Sequence, residues 1–152
     1  MKMIQRKQTI YLLLALVDLI VCLCLPIGKL SGQQILGTIV PVYNLGIYNN
    51  TGFSAYPVPF IDIVVVSTLA LINIFLFKKR NLQIKICDCS IILCILWYAY
   101  YAYMAFAMFK DVGSFYFSFA ACLPFVAIVL LLLARLGIKA DEELIRSMSR
   151  IR

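Results

Sequence analysis

The sequence predicts an all-α integral membrane protein, a single four-helix transmembrane bundle over residues 1–152 with both termini in the cytoplasm. Three observations predict it. The chain is 64% hydrophobic and only 14% charged, with a mean hydropathy of +0.97, whereas a soluble domain is roughly half apolar and a quarter charged. Spanning a hydrocarbon core ~30 Å thick takes about 20 apolar residues at 1.5 Å each. Four runs are long enough: 10–27, 60–77, 86–108 and 115–134. Of 14 Lys and Arg, 12 lie on one side of these runs. They are Lys2, Arg6 and Lys7, then Lys78, Lys79, Arg80 and Lys85, then Arg135, Lys139, Arg146, Arg150 and Arg152, leaving only Lys29 and Lys110 opposite. Short basic loops stay in the cytoplasm, so the net charge of +7 sets topology and needs no nucleic acid to explain it.

The first run follows a basic start like a signal peptide. It is longer than a signal core and lacks a small-x-small cleavage site, so it is expected to remain as a helix. Asp18 lies eight residues, about 12 Å, beyond Ile10, near the bilayer midplane. An Asp at a helix centre costs about 2.5–3.5 kcal/mol on insertion scales, so it should face inward with Tyr11, Ala15 and Cys22. It serves either as a proton relay or cation-binding carboxylate, or as polar glue bonded to Ser67, Thr68, Trp97, Tyr98 or Tyr101.

Residues 28–59 form a 32-residue external loop, long for a small bundle. Its β-branched and aromatic stretches 35–43 and 45–48 have the composition of a short β-hairpin. In the second span Asp62, Val66, Ala70 and Asn73 share an inward side. The third opens with Asp88, placed to pair with Lys85, Arg6 or Arg80, on a stripe running through Ala99 and Ala102. Its neighbouring stripe of Ser90, Cys94, Trp97 and Tyr101 is the most polar face in the bundle. Aromatics from Trp97 to Phe119 read as an interfacial belt, or as a pocket for a lipid or quinone around 97–103. Pro124, inside the fourth run, predicts a mid-membrane kink. Residues 135–152 form a cytoplasmic tail. From Asp141 it reads as a short amphipathic helix, acidic at its start, with Glu142 and Arg146 spaced for an ion pair.

All six cysteines fall inside the runs and the chain has no histidine. The Cys22-x-Cys24 and Cys87-x-Cys89 pairs point to different sides of their helices, so no metal site or cofactor is expected. Phosphate loops, nucleophile elbows and zinc signatures are missing too, and no enzymatic activity is expected.

Three cytoplasmic stretches carry a resemblance: Met3-Ile4-Gln5-Arg6-Lys7-Gln8-Thr9-Ile10-Tyr11-Leu12, Lys79-Arg80-Asn81-Leu82-Gln83-Ile84, and Asp141-Glu142-Glu143-Leu144-Ile145-Arg146-Ser147 with Arg150-Ile151-Arg152. The chain resembles a family of small four-pass inner-membrane proteins of the Bacteroidota, a domain of unknown function. The resemblance implies a bacterial inner membrane and a translation start at Met3, and it supplies no activity. It draws Gln5, Arg6, Gln8, Arg80, Gln83, Asp141, Glu142, Arg146, Ser147 and Arg150 together as a cytoplasmic patch. The leading expectation is a non-catalytic subunit or scaffold presenting that patch to a membrane or cytosolic partner or to another copy of itself. The alternative is a small transporter or proton-coupled carrier using Asp18, and a further one is lipid or quinone binding. Asp18, Asn73, Asp88, Trp97 and Tyr101 are the intramembrane candidates.

Overall fold

Helix-forming runs and aromatic-rich connections separate cleanly in the computed structural model, which describes residues 2–31, 39–49, 52–76, 79–110 and 113–150. Side chains of residues 2–7, 49 and 148–150 lie outside the described residues. The helices are α1 (Lys2–Cys24), α2 (Pro57–Phe75), α3 (Arg80–Tyr103, prolonged by a π-helical turn Met104–Met108) and α4 (Leu123–Arg150). The strands are β1 (Gly28–Ser31), β2 (Ile39–Val42), β3 (Gly46–Asn49), β4 (Gly52–Ala55) and β5 (Ser114–Phe117).

Each helix packs against two others, α1 on α2 and α4, and α3 on α2 and α4. Ala15, Ala70, Ala127 and Ala134 are all fully buried, and small side chains of this kind let helix backbones approach closely. The outward faces are apolar: Leu13, Val17, Ile61, Ile95, Leu132 and Leu133 are all exposed. Three helices are long and apolar enough to cross a membrane, within Pro57–Phe75, Arg80–Met108 and Phe119–Ser147, and Gln8–Cys24 is a shorter apolar helix.

The expected all-α fold is corrected by the sheet, which is antiparallel throughout in the order β4-β3-β2-β1-β5. The 28–59 segment holds more than a hairpin. The β2–β3 hairpin falls within the predicted stretches, but β1 and β4 flank it, and β5 arrives from the α3–α4 connection. Lys29 stands opposite Pro41 on β2 and opposite Tyr116 on β5. Ile27, Leu30, Val42 and Ile47 on the inner face join Trp97, Tyr101, Met104 and Phe109 in one buried cluster, so the sheet caps the ends of the helices. Gly46 has φ +155°, and a Cβ there would collide with the Ser54 carbonyl on the paired strand.

Two predicted spans shift. The first, 10–27, ends early: α1 stops at Cys24, since Pro26 disfavours helix at the residue before it, and the Ile27 N–H bonds to the Val42 carbonyl at 2.8 Å. In the fourth, 115–134, the aromatic stretch Ser114–Phe117 pairs as β5, a 3-10 turn covers Phe119–Cys122, and α4 begins only at Leu123. Pro124 therefore sits at the second helical position, where its missing N–H leaves no gap, and the expected mid-membrane kink is replaced by a helix start. The Ala120 carbonyl is satisfied by the Leu123 N–H. The tail is no separate short helix either. Residues 135–150 continue α4 without a break, and Gly137 lets α4 lie close to Gln8 of α1, whose Cγ would stand 3.1 Å from an added Cβ. The small stripe through Ala99 and Ala102 is exposed instead of packed.

Candidate functional site: polar groups within and at the ends of the helices

Directly under the sheet, Asn44 ties three elements together. Tyr43 and Gly46 close the β2–β3 turn by mutual backbone bonds of 3.0 and 3.2 Å, which leaves Asn44 to project into the interior, fully buried. Its amide donates to the Cys22 carbonyl at 2.8 Å at the end of α1, and its oxygen accepts the Trp97 indole N–H at 3.1 Å from α3. Trp97 stacks on Tyr101 at 5.0 Å and 12°. The Tyr101 hydroxyl donates to the Ile27 carbonyl and that of Tyr98 to the Ala121 carbonyl, each at 2.7 Å. Trp97 and Tyr101 are thus packed and bonded within the core. Sequence reasoning counted Asn44 only as loop composition. The available signal was an Asn one residue short of a Gly between alternating apolar residues, in a chain with a single indole in need of an acceptor.

About one and a half turns further down lie two carboxyls. Asp18 sits six residues before the end of α1 and Asp62 five residues after the start of α2, so the early end of α1 puts them at similar depth. The side-chain hydroxyls and indole considered as partners for Asp18 are all engaged elsewhere: Ser67 donates to the Ile63 carbonyl and Thr68 to that of Val65, and Trp97, Tyr98 and Tyr101 bond as above. Oδ2 of Asp18 and Oδ2 of Asp62 are buried with no hydrogen-bond partner among the described residues. The buried Cys94 thiol on α3 is within electrostatic reach of Asp62, Cys22 and Asp18, and Asp18 lies near the backbone of Ala127 on α4. The four helices surround this layer.

At the opposite end, polar side chains join helix to helix. Asn73 and Gln83, both buried, bracket the α2–α3 connection: Gln83 donates to the Asn73 carbonyl at 2.9 Å, and Asn73 donates to the Gln83 carbonyl at 3.3 Å and to Cys87 Sγ at 3.0 Å. Asp88 pairs with Arg135 of α4 and not with Lys85 or Arg80, because its face of α3 meets α4. Gln8 donates to the buried Asp141 at 2.5 Å, linking α1 to α4. With its amide turned to donate, Asn81 reaches both oxygens of Glu142 at 2.8 and 3.0 Å, and Arg146 stands 4.0 Å from Glu142.

The patch residues therefore divide. Gln83 and Asp141 are turned inward, Glu142 is partly covered, and Arg146 is exposed. Arg80 is half-buried, and its Nη1 has no hydrogen-bond partner among the described residues. The side chains of Gln5, Arg6 and Arg150 lie outside the described residues.

The cysteines are unpaired, with Cys22, Cys87 and Cys94 buried and Cys24, Cys89 and Cys122 exposed. Among the described residues no group of three His, Cys, Asp or Glu side chains is placed to hold a metal ion. No curated protein matches the sequence. Residues 4–151 match one family almost end to end, and the chain belongs to that family, described as Domain of unknown function (DUF4293).

Proposed function

We propose that this chain is a multi-pass protein of a bacterial inner membrane, a four-helix bundle with both termini and the α2–α3 connection in the cytoplasm, acting without catalysis as a subunit or scaffold of a membrane complex. Apolar side chains cover the outward faces of all four helices, an arrangement that water disfavours and lipid accepts. The observation that carries the scaffold reading lies at the cytoplasmic end. Gln8 with Asp141, and Asn81 with Glu142, hold the starts of α1 and α3 against α4, so that the stretches separated by more than 130 residues form one surface, with Arg80 and Arg146 on it. Arg80 is half-buried and Arg146 exposed, and guanidinium groups at a surface suit acidic groups of a partner.

Purification from native membranes in mild detergent, with the intact complex weighed, tests this. A stoichiometric second protein that is lost when Arg80 and Arg146 are both changed to Glu is the expected result. A partner retained by that variant, or a chain that purifies alone, would overturn the reading.

The two unpartnered carboxyl oxygens favour a second reading, a small carrier that moves protons or cations through Asp18 and Asp62. Buried polar atoms are nearly always bonded, and ionisable groups in a membrane mark ion paths. In liposomes Asp18→Asn and Asp62→Asn should each abolish ion-dependent uptake by a folded protein, and undiminished flux would leave these residues a packing role only.

A further inference from the structure

A cleft of about 480 Å³ opens where the β5 edge of the sheet meets the start of α4, lined by Lys29, Ser31, Ile39, Tyr116, Phe117, Ser118 and Phe119. Its chemistry is divided. The burial alternation of β1 turns Gly28 and Leu30 inward, so Lys29 and Ser31 project away from the core. Register sets Lys29 beside Tyr116 and Ser31 beside both Ile39 and Ser114.

The Lys29 ammonium makes no ion pair, and the Ser31 and Ser118 hydroxyls make no hydrogen bond, among the described residues. Segment 25–59 contains no Asp or Glu. The other wall is apolar: Phe119 is 81% exposed and sits four residues before α4 begins, whereas Phe117, opposite Gly28, sets its ring near Tyr101 and Phe115 on the inner face.

We propose that this cleft binds the phosphate of an anionic phospholipid headgroup, with Lys29 supplying the charge, Ser31 and Ser118 donating hydroxyl hydrogen bonds, and Phe119 lying along the upper acyl chain. The assignment rests on the bilayer reading above, which sets the start of α4 at the membrane–water interface. A phosphate needs a cation and donors, which Lys29 and the two serines provide. An exposed ring at the interface is what a lipid covers and a free anion does not.

The test uses the full-length protein in a non-ionic detergent, with binding of short-chain phosphatidylglycerol, phosphatidylcholine of the same chain length, and inorganic phosphate followed by native mass spectrometry. One lysine beside an anionic headgroup contributes about a fivefold change in affinity. Lys29→Ala should therefore weaken phosphatidylglycerol binding about fivefold, with Lys29→Arg and Lys110→Ala close to wild type and phosphatidylcholine bound weakly by all. Unchanged binding by Lys29→Ala, or an equal loss in Lys110→Ala, would overturn the site. Inorganic phosphate displacing the lipid at equal concentration would overturn the lipid in favour of a free-anion site. Failure of the bilayer reading is separate and visible earlier, as protein recovered from membranes without detergent.

Discussion

Truncating Asn44 to alanine removes a side chain that joins the end of α1, the sheet and α3. Two hydrogen bonds go with it, and each leaves a buried group stranded: the Trp97 indole N–H, 3.1 Å away, and the Cys22 carbonyl, 2.8 Å away. A stranded buried donor or acceptor costs about 1–3 kcal/mol, so the pair amounts to about 3–4 kcal/mol. At roughly 2–4 °C per kcal/mol for a chain of this size, the thermal midpoint in detergent should fall by about 10 °C. Trp97→Phe loses only the indole bond and keeps a ring to stack on Tyr101, so it should cost about 1–2 kcal/mol. Because both variants break the same contact, the double variant should be more stable than the sum of the two by about 1 kcal/mol. Far-UV circular dichroism melts of the four proteins complete the cycle. Since Trp97 is the single tryptophan, its fluorescence in Asn44→Ala gives an independent signal and should shift. Additive losses with unchanged emission would refute the idea that Asn44 is the tie between sheet and helices.

Gln8→Ala should leave the buried Asp141 carboxylate without its N–H donor, costing about 1–3 kcal/mol and speeding amide exchange around residues 137–145, read by hydrogen-exchange mass spectrometry. Gln8→Glu should be worse than Gln8→Ala at neutral pH, because it sets a second carboxylate against the first. Gly46→Ala should cost about 3 kcal/mol, combining an unfavourable φ with collision against the Ser54 carbonyl. Gly52→Ala, at φ +138° with nothing within 4 Å of the new Cβ, should cost only about 1 kcal/mol in the same melts.

Helical runs were legible because these helices are apolar around most of their circumference, which gives their rough position. Pro124 was misread, and the first span was carried past Pro26, for a common reason. Proline ends or begins a helix as readily as it kinks one, and choosing among these requires the pairing of Ile27 with Val42 and of Lys29 with Tyr116. β5 was hidden because Phe115, Tyr116 and Phe117 are as apolar as a membrane span, and the strand finds its partner β1 more than eighty residues away. Helical spacing turned Ala15, Cys22, Val66, Ala70 and Asn73 inward, and all are buried. Spacing could not show that Asp88 meets Arg135, nor that Gln8 meets Asp141, because both contacts depend on which helices are neighbours. For the same reason the depth shared by Asp18 and Asp62 emerges only once α1 is seen to end at Cys24.

The central claim is that four helices cross a membrane with the sheet on one side and the basic helix ends on the other. Its most direct test is labelling of the native lysines in intact cells with a membrane-impermeant amine reagent, followed by peptide mass spectrometry. The account predicts modification of Lys29 and Lys110, with Lys79, Lys85 and Lys139 modified only after the membrane is permeabilised. Labelling of Lys79, Lys85 or Lys139 in intact cells, or protection of Lys29, would contradict it.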